Sequence, residues 1–191
     1  MMTLYHGSPV LFDRFDLSKA GDGTGIKFGF GVYLTEVEAS AVHYSQPRNV
    51  ELTPDHYLYT VEIPELTEDN HITSALPVSP IIINKVEEKL GVKAPEKVKA
   101  QGKEFRKWVG MTITGAKKAG FDEEKAAAEL LNSVGVLYNV WPTAQTKPDG
   151  PKNIAVFDDA NVHIVKREHI DVEAKKVCGS TKWVLTDRKE V

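Results

Sequence analysis

The stretch GFGVYLTEVEASAVHY, residues 29–44, decides how this chain reads. Glycines at 29 and 31 give way to VYLT, a β-favouring run at residues 32–35. Thr35 with Glu38 three positions on has the pattern of a capping box, so EVEASAVHYS suits a helix that Pro47 stops. Tyr33 then closes a strand, and Tyr44 lies eleven residues later, about three helical turns along, so both rings can face one cleft. Two tyrosines placed in that way would sandwich a planar ring. On periodicity alone the bland reading wins, since strand-end and helix tyrosines are more often packing residues.

Working outward, MTLY at residues 2–5 reads as a short buried strand that ends in a His-Gly-Ser-Pro turn. Residues 18–31 hold five of the fourteen glycines and read as a loop over a site. HYLYTVEI (56–63) alternates as a strand does. SPIIINKVEEKLG then predicts a helix with Ser79 as N-cap and Pro80 at its first position. Two further helices are expected over 96–118 and 122–133, with Gly135 just past the last. VLYNVW, NIAVFDD and NVHIVK are three strand candidates. The order is strands, a helical insert at 80–133, and strands again, within one domain over 1–191. It predicts an α+β fold with a mixed or mostly antiparallel sheet, because doubly wound strand–helix alternation is absent.

Composition adds bounds. The chain has 191 residues, 41% of them hydrophobic and 27% charged, which is globular composition. Residues 1–80 carry four Lys/Arg against eleven Asp/Glu, and residues 82–118 carry ten against four. The basic segment reads as a solvated lysine face before it reads as a surface for an acidic partner. Cys178 is the sole cysteine, which excludes an intramolecular disulfide and suits a reducing compartment. No signal-peptide pattern opens the chain and no apolar run approaches a bilayer span, so a cytoplasmic location, or delivery into a host cytoplasm, is expected, with no membrane partner.

GxGxxG opening a helix, GxxxxGK[ST], HExxH and GxSxG are all missing, and six histidines lie without ligand spacing, so no metal site is expected. His6 stands apart from the others. In Tyr-His-Gly-Ser the imidazole adjoins the main chain of Gly7, where a flat amide can be held by backbone hydrogen bonds and a hydroxyl by the ring.

Taken together, TLYHGSP, KFGFGVYLTE, AVHY and NIAVFDDANVHI resemble, in order and spacing, the motifs of the ADP-ribosyltransferase superfamily, in its poly(ADP-ribose) polymerase-like, diphtheria-toxin-like branch. The likeness covers about residues 3–45 and 135–166. LFDRFDLSKAGDGTG and the helical segments GKEFRKW and EEKAAAELLNSVGV are also similar to the ADP-ribosyltransferase-like domains in polyvalent proteins of phages and conjugative elements. The resemblance implies a split-sheet core that takes NAD as substrate. It implies His6 on the adenosine ribose hydroxyl and the Gly7 main chain on the nicotinamide carboxamide, with a hydroxyl from Ser8 or Ser40. Tyr33 and Tyr44 would stack on the two sides of the nicotinamide ring, and the loop at 18–28 would lie over the dinucleotide. The reaction implied is cleavage of the N-glycosidic bond and capture of ADP-ribose by a protein, nucleic acid or small-molecule acceptor.

The third motif departs from that pattern. Where active members of the branch commonly carry a glutamate that steadies positive charge on the anomeric carbon, this sequence has Asn153. Asparagine hydrogen-bonds a ribose hydroxyl but offers no charge. Asp158, Asp159 and Glu36 are the stand-ins weighed, with Asp149 nearest along the chain, and none is convincing from spacing. The expectation is therefore mono-ADP-ribosyl transfer and not chain elongation. The alternatives are an NAD glycohydrolase, an NAD-binding domain without turnover, and a purely structural α+β domain.

Overall fold

A computed structural model describes residues 1–20, 26–46, 55–144, 147 and 149–191. The architecture is α+β, with one mixed eight-stranded sheet and five helices among the described residues. The sheet is built from β1 (Met2–Ser8), β2 (Val32–Thr35), β3 (Tyr57–Ile63), β4 (His71–Thr73), β5 (Tyr138–Pro142), β6 (Lys152–Val156), β7 (His163–Val177) and β8 (Ser180–Glu190). Their order across the sheet is β4-β5-β6-β2-β1-β3-β7-β8, and only the β4–β5 pair is parallel.

Four expectations differ in the structure. Tyr33 does not close its strand, because β2 continues through Leu34 and Thr35, paired with Ile154 and Asn153. The first strand does not stop before His6, because His6, Gly7 and Ser8 continue the antiparallel ladder opposite Tyr59, Leu58 and Tyr57. Thr35 does not cap the helix that follows. It is a buried strand residue in register with Tyr5 and Asn153, and its hydroxyl accepts from the Val37 amide at 3.2 Å. The helix itself, α1 (Glu38–Tyr44), starts after an extended Val37 with no side-chain cap, and Pro47 lies outside the described residues. The expected helix over 96–118 is two helices, because extended backbone at Gln101 breaks it.

Ser79 and Pro80 do open α2 (Pro80–Leu90), which ends on a left-handed Gly91. The other insert helices are α3 (Glu96–Lys99), α4 (Gly102–Thr114) and α5 (Phe121–Ser133). Their core joins Ile82, Val86, Phe105, Val109, Ala127, Ala128 and Leu131 to Phe30, Ile72 and Phe157 from the sheet side of the molecule. Several lysines of the basic segment are paired locally: Lys93 and Lys99 with Glu87, Lys107 with Glu104, and Lys85 with Asp69. This fits the solvated-face reading. Among the described residues no helix is long and apolar enough to cross a membrane.

Strand alternation sorts the side chains that matter. Leu4, Val32, Leu34, Tyr59, Val61, Tyr138, Val140, Ile154 and Val156 share one apolar cluster. Gly7, Tyr33, Thr35, Asn139, Trp141, Asn153 and Ala155 occupy the intervening positions of their strands and belong to the other face. On that face α1 packs through Ala41 and Val42 against Leu58, Ile170, Tyr5, Val172 and Leu185. The β7–β8 hairpin also ties α1 down, through Arg188 bonding the Glu38 carboxylate at 2.7 and 3.2 Å.

Candidate functional site

Three strands bring the candidate residues together. In the β2–β6 ladder Tyr33 is opposite Ala155 and Thr35 opposite Asn153, while Trp141 of β5 is opposite Asn153 on its other side. Tyr33 and Asn153 are therefore diagonal neighbours on one face of adjacent strands. Gly7 of β1 borders them under α1. A methyl placed on Gly7 would sit 1.8 Å from the Ala41 carbonyl oxygen and 2.8 Å from the Ser45 nitrogen, so only glycine lets the helix lie this close.

The Tyr33 ring is fixed at its hydroxyl. It donates to the Gly29 carbonyl at 2.8 Å and accepts from the Phe28 amide at 3.1 Å. Burial pushes this phenol up to about 12, so it stays neutral and serves both bonds at once. Phe28 in turn stacks flat on Trp141, with centroids 4.2 Å apart and planes at 4°, and Trp141 meets Tyr33 edge-on at 5.5 Å. Asn139 Nδ2 donates to the Phe28 carbonyl at 2.7 Å, and Ser74 Oγ donates to Asn139 Oδ1 at 3.1 Å. Residues 26–30 thus form a strap across Tyr33, held from three directions. The central part of the glycine-rich loop, 21–25, lies outside the described residues.

His6 sits on the opposite face from the Tyr33 ring, in a nest of Phe12, Phe15 and Tyr59, with its Nδ1 2.8 Å from the Tyr33 carbonyl oxygen. Desolvation lowers its pKa, outweighing the opposing effect of that bond, so the ring is neutral at pH 7. With Nδ1–H donating to Tyr33, Nε2 is left as an acceptor. The pH dependence has a definite sign. Because the unfolded chain binds a proton that the native ring resists, native stability falls as pH drops below the ordinary 6.5 and levels off once the lowered native value is passed. Denaturant midpoints at pH 5 and pH 7 check this, and a His6→Gln variant should lose part of that slope.

The remaining candidates are more dispersed. Tyr44 is half exposed at the end of α1, edge-on to His43 at 5.3 Å. Ser40 lies on α1, where its amide bonds the Val37 carbonyl. Ser8 is buried, and its hydroxyl accepts from the Val10 amide at 3.0 Å in the turn after β1. The carboxylates weighed against Asn153 separate clearly. Asp158 accepts from Asn132 Nδ2 and the Ala160 amide, and Asp159 from the Leu17 amide, both beyond the far end of β6. Glu36 accepts from the Lys152 amide at 2.6 Å, and its own amide donates to the Lys152 carbonyl at 2.9 Å, so it is tied to the residue just before Asn153. Phe28, Asn139 and Trp141 went unseen in the sequence. The VLYNVW strand places Asn139 and Trp141 on one face, but nothing in it marks that face as the one Tyr33 and Phe28 cross.

Compared with known protein families, with curated proteins and with solved structures, the chain matches none of them.

Proposed function

We propose that this chain has the ADP-ribosyltransferase-like form of the α+β fold and acts as an NAD-dependent mono-ADP-ribosyltransferase. The observation that supports the reading most is the meeting of three separate sequence motifs: Gly7 on β1, Tyr33 on β2 and Asn153 on β6 lie on neighbouring strands and one face. In this account the Gly7 main chain holds the nicotinamide carboxamide and Tyr33 stacks on the ring, with Tyr44 of α1 closing its second side. The ring of His6 and the hydroxyl of Ser8 lie on the face of β1 opposite Gly7 and Tyr33. His6 therefore serves by holding the Tyr33 main chain through Nδ1, and Ser40 of α1 is the hydroxyl left for the carboxamide. The bond from the ribose anomeric carbon to the nicotinamide nitrogen breaks, and its electrons leave with nicotinamide. The acceptor then bonds to that carbon and gives up its proton. Asn153 orients the ribose by hydrogen bonding without supplying charge.

That missing charge favours a second reading, an NAD-binding domain with little or no turnover. Asp158 and Asp159 are engaged elsewhere, and Glu36 is committed to the Lys152 amide. Incubation with NAD and a protein and nucleic-acid extract separates the cases. Free nicotinamide with ADP-ribose bound to an acceptor supports transfer, and nicotinamide with free ADP-ribose indicates hydrolysis. No nicotinamide from a protein that still binds NAD indicates the binding domain.

A further inference from the structure

We propose that the buried Arg106–Glu124 pair of the helical insert is a positioning device for Tyr33, acting through the strap at residues 26–30. Arg106 of α4 is fully buried, and its Nε and Nη2 donate to Glu124 of α5 at 2.5 and 3.3 Å. Among the described residues its buried Nη1 has no hydrogen-bond partner. The guanidinium packs on the main chain of Gly29, where a methyl would come within 2.9 Å of Arg106 Nε and 3.1 Å of its Cζ. Gly29 has φ +102°, a conformation and a closeness that other residues resist. The carbonyl of that same glycine receives the Tyr33 hydroxyl, and the neighbouring Phe28 amide donates to it. A continuous path of contacts therefore runs from α5 through Glu124, Arg106 and Gly29 to the Tyr33 oxygen.

Energetics point the same way. A buried ion pair that leaves one donor unsatisfied is a poor source of stability, because desolving two charges offsets most of their attraction. Apolar residues in α4 and α5 would join these helices as well or better. What apolar residues would not supply is a rigid, planar group seated against the Gly29 backbone. The insert is in this account a part of the slot, and its pair sets where Tyr33 stands.

The test replaces the pair by apolar side chains, Arg106→Met with Glu124→Leu, and reads amide hydrogen exchange residue by residue. The melting temperature is expected to be unchanged or higher, and α4 and α5 amides to keep their wild-type protection. The Phe28 amide is expected to exchange roughly three- to tenfold faster, the change for one ordinary hydrogen bond. Tyr33→Phe alone should accelerate the same amide, and adding the pair replacement to it should give no further change, since both act through one strap. Arg106→Lys keeps the charge opposite Glu124 but not the planar fork, and should also speed Phe28. An NAD dissociation constant raised by a similar factor is expected too. That arm rests on the NAD reading, whereas the exchange arm does not, so a wild-type protein that ignores NAD would sink the former alone. Phe28 exchange at the wild-type rate in both variants would overturn the proposal. So would acceleration that adds fully to that of Tyr33→Phe, or that spreads equally through α4 and α5.

Discussion

Asn153→Glu is expected to raise the rate of nicotinamide release from NAD by roughly 10- to 1,000-fold, the range over which a single preorganised electrostatic group alters turnover. The position suits the change. Asn153 lies between Thr35 and Trp141 on the face that carries Tyr33, and it is only partly buried, so a longer, charged side chain there need not be forced into the core. A carboxylate there would face developing positive charge at the anomeric carbon in a setting with less water than bulk, where charge interactions count for more. NAD affinity should change far less than turnover, because the gain is confined to the transition state. Steady-state release measured by chromatography checks it. An unchanged rate in a folded variant that binds NAD normally would remove Asn153 from the reacting centre.

The second large effect is structural. Gly7→Ala is expected to cost about 3 kcal/mol of stability, at the upper end for overpacking, because the added methyl meets the backbone of α1 and not a side chain that can swing aside. To relieve a 1.8 Å approach to the Ala41 carbonyl, the helix must move away from β1. That displacement would carry Tyr44 with it and open the slot. Chemical denaturation should show the loss, and NAD affinity should fall further than stability alone explains. A variant with wild-type stability would mean that α1 is not seated against Gly7 as described.

Much of this arrangement was legible in the residues themselves. VYLT and the FGFG run before Tyr33 read as a strand and a covering segment, because glycine punctuation and β-favouring runs act locally. The strand ends expected at His6 and Tyr33 did not hold, since pairing with β3 and β6 carries both strands further. The helices of the insert were legible for the same reason, with Ser79-Pro80 opening α2 and Gly135 following α5. What escaped depends on distant partners. β4 is three residues, His71–Thr73, and becomes a strand only because β5 runs parallel beside it. Thr35 has the letter pattern of a cap, yet pairing with Tyr5 and Asn153 holds it in the sheet. The β7–β8 hairpin was missed although Cys178 and Gly179, both at positive φ, make a two-residue turn between β-favouring runs. Its exposed, lysine-rich strands hide the usual apolar alternation. Asn139 and Trp141 also escaped, since nothing in VLYNVW indicates that residues 28 and 33 will cross above them.

The central claim is that Tyr33 is one wall of an NAD slot, and isothermal titration of the protein with NAD tests it most directly. The account predicts one NAD bound per chain by the wild type, with binding reduced at least tenfold in a folded Tyr33→Ala variant, in line with loss of an aromatic contact of about 1.5 kcal/mol or more. A folded wild-type protein that takes up no NAD, or a Tyr33→Ala variant that binds it unchanged, would contradict the account.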